Sequence, residues 1–89
     1  MRAIVSVFSK DRIGIIADVC VMLRDMNVNV LDLSQTIMDG MFTMVTLVDT
    51  ATSDLSFDQI QNALAEGGER LALDIRIQRQ DIFDAMHKI

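Results

Sequence analysis

The sequence has 89 residues, which is enough for one small domain with a single two-layer core. A formal net charge of −5 argues against a nucleic-acid partner, because binding to phosphates needs a surplus of Lys and Arg. No run of eighteen apolar residues predicts a membrane span, and the lone cysteine, Cys20, excludes an internal disulfide, so we expect a cytoplasmic protein with no membrane partner.

The chain opens with a strand, a short polar loop and a helix. Residues 2–8 are rich in β-branched side chains and predict a strand that is covered on both faces. Residues 13–26 carry apolar side chains three and four positions apart, which predicts the first helix. The loop between them, Lys10-Asp11-Arg12-Ile13-Gly14, is the main candidate for a functional segment.

A hairpin follows the first helix. Residues 28–38 and 41–48 are strand-like, and Asp39-Gly40 between them favours a type I′ turn because both central residues need positive φ. The strand 41–48 is apolar on both of its faces, whereas two helices can cover only one face of a sheet. We therefore expect a second copy of the chain against the bare face or beside the edge strand 28–38.

The second half of the chain predicts a helix and a strand. Residues 56–66 form the predicted second helix, with Ser56 and Gln59 at the spacing of a capping box and Gly67-Gly68 as its end. Residues 71–79 alternate between apolar and polar side chains, as in a half-buried strand.

The tail, residues 81–89, predicts a short third helix. Its apolar side chains fall on one side: Ile82, Phe83, Met86 and Ile89. A helix of about two turns is not stable alone in water, so we expect it to dock on the sheet or on a neighbouring subunit.

These elements predict an α+β fold with the ferredoxin-like order βαββαβ, in which two helices pack on one face of a four-stranded antiparallel sheet. Right-handed crossovers give the strand order 4-1-3-2. We expect one domain over residues 1–80 and a helical extension over 81–89. His87 has no Cys or second His near it in the sequence, so we predict neither a metal site nor a cofactor.

The sequence resembles the ACT domain, the small regulatory module of amino-acid-metabolism enzymes, and in particular the stand-alone single-ACT-domain proteins of bacteria and archaea. The resemblance covers about residues 2–80. It is carried by the segment from Asp11 to Ala17, by the run from Asn29 to Gln35 and by the hairpin strand that starts at Gly40. Many members have proline at position 13 and glycine at position 27, where this chain has Ile13 and Asn27.

The resemblance implies a homodimer that binds an amino acid between the first loop of one copy and the second strand of the other. It assigns Ser9, Asp11, Gly14 and Asn29 to ligand binding, and we add their neighbours Arg12, Ile13 and Val30 as candidate ligand-binding residues. The residue types suit such a ligand, because a helix N-terminus attracts a carboxylate and the Asp11 carboxylate can accept from an ammonium group.

Each of these residues also has a structural interpretation. Asp11 could cap the first helix, and Gly14 could relieve crowding where that helix packs on the sheet. Asn29 could satisfy a backbone group at the sheet edge, and Arg12 could be a solvated charge.

Three functions follow from the sequence. We expect a non-enzymatic, ligand-sensing homodimer. The first alternative is an interaction module that binds no ligand and docks on a partner enzyme or regulator. The second is an acylphosphatase-like hydrolase that uses Arg12 and Asn29, although the glycine-rich phosphate loop that this chemistry needs is missing.

Overall fold

The computed structural model describes residues 1–81, and it confirms the predicted βαββαβ order. The elements are β1 (Arg2–Lys10), α1 (Ile15–Asp25), β2 (Asn29–Met38), β3 (Met41–Asp49), α2 (Phe57–Leu71) and β4 (Asp74–Arg79). The backbone is again helical at Gln80 and Asp81. Residues 82–89, which include most of the predicted third helix, lie outside the described residues.

The four strands form one antiparallel sheet in the order β2-β3-β1-β4, which is the predicted order 4-1-3-2 read from the other edge. β1 and β3 lie in the centre, and β2 and β4 are the two edges. The fold is therefore the ferredoxin-like α+β arrangement that the sequence predicted.

The hydrophobic core lies between the sheet and the two helices. Alternate residues of β1 and β3 face the helices, and Val5 and Met44 are fully buried there. Val19 and Leu23 on α1, with Ile60 and Leu64 on α2, supply the other side of this core. The side-chain spacings of three and four in the helices and of two in the strands predicted this arrangement.

The hairpin turn forms as predicted. Asp39 has φ 51° and Gly40 has φ 76°, so both central residues take the positive φ that a type I′ turn requires. The turn fixes the β2–β3 register from Met38 opposite Met41 to Asn29 opposite Asp49. One irregularity interrupts that register at Leu31, where a bulge separates Val30 from Asp32.

The start of α2 was predicted correctly, and its end was not. The capping box is present, because the Gln59 N–H donates to Ser56 Oγ over 3.2 Å and the Ser56 N–H donates to Gln59 Oε1 over 2.9 Å. The helix continues through Gly67 and Gly68 to Leu71 and ends at Ala72, which has φ 59°. β4 accordingly begins at Asp74 rather than at residue 71.

Close packing explains why the two glycines lie inside α2. A Cβ atom on Gly68 would stand 2.6 Å from the Leu73 carbonyl oxygen, and one on Gly67 would overlap Sδ of Met22 on α1. Both glycines are buried. They let α2 approach β4 and α1, and they do not end the helix.

The face of the sheet that points away from the helices, here called the open face, is apolar at its centre. It consists of Ile4, Ser6 and Phe8 on β1, Met41, Thr43, Val45 and Leu47 on β3, and the alternate residues of β2 and β4 in register with them. The prediction that β3 is apolar on both faces is therefore correct.

Thr46 is the buried polar side chain of the core. It lies on the helix-facing side of β3 with no exposed surface, and its hydroxyl has no hydrogen-bond partner within residues 1–81. On folding, this hydroxyl loses its hydrogen bonds to water and gains none from the protein, which lowers the stability of the folded state.

We predict that Thr46→Val raises the free energy of unfolding by about 1 kcal/mol, because a methyl group replaces an unsatisfied hydroxyl of equal size. Urea unfolding measures the change. Thr43→Val, on the same strand but on the open face, is the matched control and should have little effect. A loss of stability in Thr46→Val would mean that the hydroxyl has a partner in solution.

Candidate ligand-binding site

The loop between β1 and α1 is fixed at both ends. The Asp11 N–H donates to the Gly40 carbonyl oxygen over 2.8 Å, which ties the loop to the β2–β3 turn. Gly14 is the N-cap of α1 and has φ 89°. A Cβ atom on Gly14 would meet nothing within 4 Å in the described part of the chain, so Gly14 is needed for its backbone conformation. The crowding interpretation of Gly14 is therefore wrong.

The N-terminus of α1 lacks a side-chain cap among the described residues. The interpretation of Asp11 as the N-cap is therefore wrong, because that position belongs to Gly14. The first helical hydrogen bond runs from the Asp18 N–H to the Gly14 carbonyl oxygen over 2.9 Å. The N–H groups of the three residues before Asp18 have no acceptor within the helix, which gives this end of α1 a partial positive charge.

A cleft of about 180 Å³ lies beside this helix end. Its polar wall comes from Asp11, Arg12, Gly14 and Gln35, and its apolar wall includes Ile16, Ile37 and Phe42. The cleft therefore combines a carboxylate, a helix N-terminus and an apolar surface, which are the groups that complement the ammonium, carboxylate and side chain of an amino acid.

Arg12 connects the loop to both helices. Its Nη1 donates to Asp18 Oδ2 and to the Ile13 carbonyl oxygen, each over 3.1 Å, and its Nη2 donates to the Leu71 carbonyl oxygen over 3.4 Å. The guanidinium therefore already has partners within the chain and holds the loop against α1 and the end of α2. Arg12 is nevertheless exposed, as the interpretation of it as a solvated charge requires, and its predicted ligand contact stays a prediction.

Ser9 and Ile13 take different positions around the loop. Ser9 is half-buried next to Phe42 in the β1–β3 register, and its hydroxyl donates to the Lys10 carbonyl oxygen over 2.9 Å. Ile13 is 99% exposed at the tip of the loop. An isoleucine this exposed gains nothing from folding, so it is free to contact a second molecule.

Asn29 and Val30 lie at the start of β2, beyond the C-terminus of α1. We call the space between α1 and β2, which runs from the cleft to these residues, the groove. There they border an open cavity of about 610 Å³ together with Cys20, Arg24 and Thr52. Asn27, in the turn before them, has φ 57°, and its carbonyl oxygen accepts a 2.7 Å hydrogen bond from Thr52 Oγ1. Asparagine thus takes the left-handed conformation at the position where the resemblance expects glycine.

The predicted site residues therefore fall into two groups in one chain. Asp11 and Gly14 lie at the N-terminus of α1, and Asn29 and Val30 lie beyond its C-terminus. Eleven helical residues separate the groups by about 16 Å. Arg12 and Asn29 are separated in the same way, so one chain does not assemble the pair that an acylphosphatase-like reaction needs.

β2 runs along this groove as an edge strand. Nine of its ten residues are exposed, and Ile37 on its helix-facing side is 56% exposed. Within residues 1–81 the outer edge of β2 pairs with no strand. A long, exposed, partly apolar edge strand is a surface that another strand can extend.

Residues 1–81 offer neither a membrane-spanning helix nor a metal cluster. No helix within residues 1–81 is long and apolar enough to cross a membrane. In the same part of the chain, no three His, Cys, Asp or Glu side chains are grouped so that they could hold a metal ion.

Comparison with known proteins identifies the family. The family model of the ACT domain matches residues 2–78, which is most of the chain. The chain belongs to the ACT domain family. A UPF0237 protein of Listeria monocytogenes is 47% identical over 89 residues, which cover the whole of both chains. This ACT domain therefore has relatives of its own length.

Solved structures agree with this assignment. An ACT domain protein from Streptococcus pneumoniae superposes with a TM-score of 0.83 and 34% identity over 94% of each chain. A formyltetrahydrofolate deformylase from Pseudomonas syringae superposes with a TM-score of 0.78 and 26% identity, over 88% of this chain and 27% of the enzyme. The same ACT fold therefore occurs both as a short chain and as one part of an enzyme.

Asp49 lies opposite Asn29 in the β2–β3 register and carries a perturbed carboxyl group. The Ala51 N–H donates to Asp49 Oδ1 over 3.0 Å, and the terminal ammonium of Met1 lies 3.3 Å from the same oxygen. These two groups, the amide first, lower the pKa of Asp49 because both favour its charged form.

We predict that Asp49→Asn weakens the fold at neutral pH and loses its effect in acid. A carboxyl group whose pKa is lower in the folded chain stabilises the fold above its unfolded pKa of about 3.9 and loses this contribution as pH falls through the folded value. Thermal unfolding of both proteins from pH 7 to pH 2 measures the difference. A difference in stability that stays constant down to pH 2 would contradict the role given to the charge.

Proposed function

We propose that this ACT domain is a regulatory, non-catalytic homodimer that binds an amino acid or a similar small metabolite between its subunits, in the cytoplasm. The observation that carries the proposal is the separation of the two groups of candidate residues by the length of α1. A second copy, paired along β2, would bring one group of residues from each subunit into the same site. The fold and the family support a regulatory role, and the geometry of β2 supports the dimer.

The pairing follows from the symmetry of a homodimer. Two β2 strands related by a two-fold axis run antiparallel, so residues near the start of one lie beside residues near the end of the other. An axis at residues 33–35 would bring Asn29 of the partner subunit opposite residues 37–41. That segment adjoins the cleft, because Ile37 lines the cleft and Gly40 accepts the hydrogen bond from Asp11.

The chemistry of the combined site suits an amino acid. The uncapped N-terminus of α1 favours the carboxylate, and Asp11 favours the ammonium group. Asn29 of the partner subunit would add an amide that both donates and accepts. Ile16 and Ile37 offer an apolar wall for the side chain of the ligand. The carboxylate and the ammonium group of the ligand would therefore each meet a group of opposite charge.

A second candidate function is an interaction module that binds no ligand and docks on an enzyme. It is favoured by the exposed apolar side chains at one end of the molecule, where Ile13, Ile37, Met38 and Met41 surround the first loop and the hairpin turn. The similarity to 27% of a formyltetrahydrofolate deformylase shows an ACT fold joined to an enzyme in one chain. A separate chain could make such a contact without the covalent link.

We predict that Ile37→Lys converts the dimer into a monomer, because a lysine on an edge strand opposes pairing with a second strand. Light scattering and sedimentation at several concentrations measure the mass. Leu55→Lys, on an exposed side chain of the β3–α2 connection, is the matched control and should remain dimeric. A dimer that survives Ile37→Lys would show that the subunits associate through another surface.

We predict that one of the twenty amino acids raises the melting temperature of the dimer. A ligand at a hundred times its dissociation constant stabilises the fold by about 2.7 kcal/mol, which is roughly 10 °C or more in a domain of this size. Asp11→Ala and Asn29→Ala should each abolish the shift, and Leu55→Lys should keep it. A dimer that no amino acid or metabolite anion stabilises would favour the interaction module.

A further inference from the structure

The cavity of about 610 Å³ at the start of β2 has one charged side chain in its wall. Among the described residues that line it, Arg24 alone carries a charge, and the others are neutral: Cys20, Asn27, Val28, Asn29, Val30 and Thr52. Arg24 lies in the last turn of α1. This end of the groove therefore presents a cation.

The guanidinium of Arg24 is weakly held in its own chain. Within residues 1–81 its acceptor is Asp25 Oδ1, which lies 3.4 Å from Nη2. The two side chains are neighbours in the sequence and are 74% and 63% exposed. An ion pair this exposed contributes little to stability, so a ligand carboxylate can replace Asp25 at small cost. Arg12 differs, because it donates to three acceptors around its loop.

In the proposed dimer the cavity of one subunit adjoins the cleft of the other. A two-fold axis that makes two β2 strands antiparallel neighbours is perpendicular to the sheet, so the helices of both subunits lie on the same face. On that face α1 lines the cavity through Arg24 and the cleft through Ile16. The axis sets the start of one β2 strand beside the end of the other. Arg24 of the partner subunit therefore lies across the subunit interface from the cleft.

The charges of the composite site leave one cation for the side chain of the ligand. The N-terminus of α1 favours the carboxylate of an amino acid, and Asp11 favours its ammonium group. The guanidinium of Arg12 already has its acceptors within the chain. Arg24 of the partner subunit remains, and a guanidinium binds a carboxylate through two parallel hydrogen bonds.

We propose that the composite site selects an amino acid whose side chain ends in a carboxylate, and that Arg24 of the partner subunit is the residue that selects it. This selectivity rests on the proposed function, because the guanidinium reaches the ligand only across the subunit interface. The methylene groups of such a side chain lie along the apolar wall of Ile16 and Ile37, and its carboxylate lies at the guanidinium. Aspartate and glutamate are the amino acids of this class.

The same guanidinium discriminates against other amino acids. Glutamine has the shape of glutamate, but its neutral amide leaves the guanidinium with Asp25 as its anion. Glutamate gains a charge-assisted hydrogen bond there, which is worth about tenfold or more in affinity. A ligand with a cationic side chain brings a like charge to the guanidinium and is rejected.

Calorimetric titration of the dimer with L-glutamate and L-glutamine tests this selectivity, because the two ligands share a shape and differ in one charge. L-aspartate and L-asparagine form a second such pair. Arg24→Gln removes the guanidinium and keeps a good helix former. Arg76→Gln is the matched control, because Arg76 is also an exposed arginine bonded to a nearby carboxylate, Asp74, but lies on β4 at the opposite edge of the sheet.

We expect the acid of one pair to bind about tenfold more tightly than its amide. Arg24→Gln should remove this preference without weakening the amide, and Arg76→Gln should keep it. Three results would overturn the selectivity while the proposed function stands: equal affinities for acid and amide, tighter binding of a neutral amino acid, or equal weakening of both ligands by Arg24→Gln. An intact dimer that binds none of the twenty amino acids would instead overturn the proposed function, and the selectivity with it.

Discussion

Two helices can cover only one face of a four-stranded sheet, and the surfaces of this protein follow from that constraint. α1 and α2 bury the inner sides of β1 and β3, whereas nine of the ten residues of β2 stay exposed and the open face keeps its apolar centre. One buried face is the core of the domain. The exposed edge and the open face are the two surfaces of the sheet that α1 and α2 leave uncovered.

The length of α1 divides the candidate site residues of one chain into two groups. α1 lies along β2 and separates Asp11 and Gly14 from Asn29 by its own length of about 16 Å. Hydrogen bonds tie the loop to its neighbours, because the Asp11 N–H donates to the Gly40 carbonyl oxygen and the Arg12 guanidinium donates to Asp18 and to the Leu71 carbonyl oxygen. A composite site between subunits needs a preorganised loop beside a strand whose outer edge is open, and within residues 1–81 β2 has such an edge.

Local signals in the sequence predicted the helices, the strands and the hairpin turn. The features that could not be predicted depend on contacts between residues far apart in the sequence. Asp39-Gly40 predicted its turn because the positive φ of both residues is a local property. The sequence predicts a helix end at Gly67 and Gly68, which is wrong. Glycine is required there because a Cβ atom would collide with Met22 or with the Leu73 carbonyl oxygen. Asp11 was a reasonable cap by residue type, yet Gly14 holds that position. The contact from Arg12 to Leu71 spans 59 residues of sequence and leaves no local pattern.

The central claim is that two subunits share one ligand-binding site. It is tested most directly by mixing two variants that do not bind the ligand. Asp11→Ala and Asn29→Ala are each expected to lose the ligand that stabilises the original protein. In a mixed dimer, one of the two sites receives Asp11 from one subunit and Asn29 from the other, and both are intact. After subunit exchange in an equal mixture, half of the dimers are mixed and each has one intact site of two, so the account predicts that about a quarter of the original binding capacity returns in calorimetry. A mixture that binds no more ligand than either variant alone would contradict it.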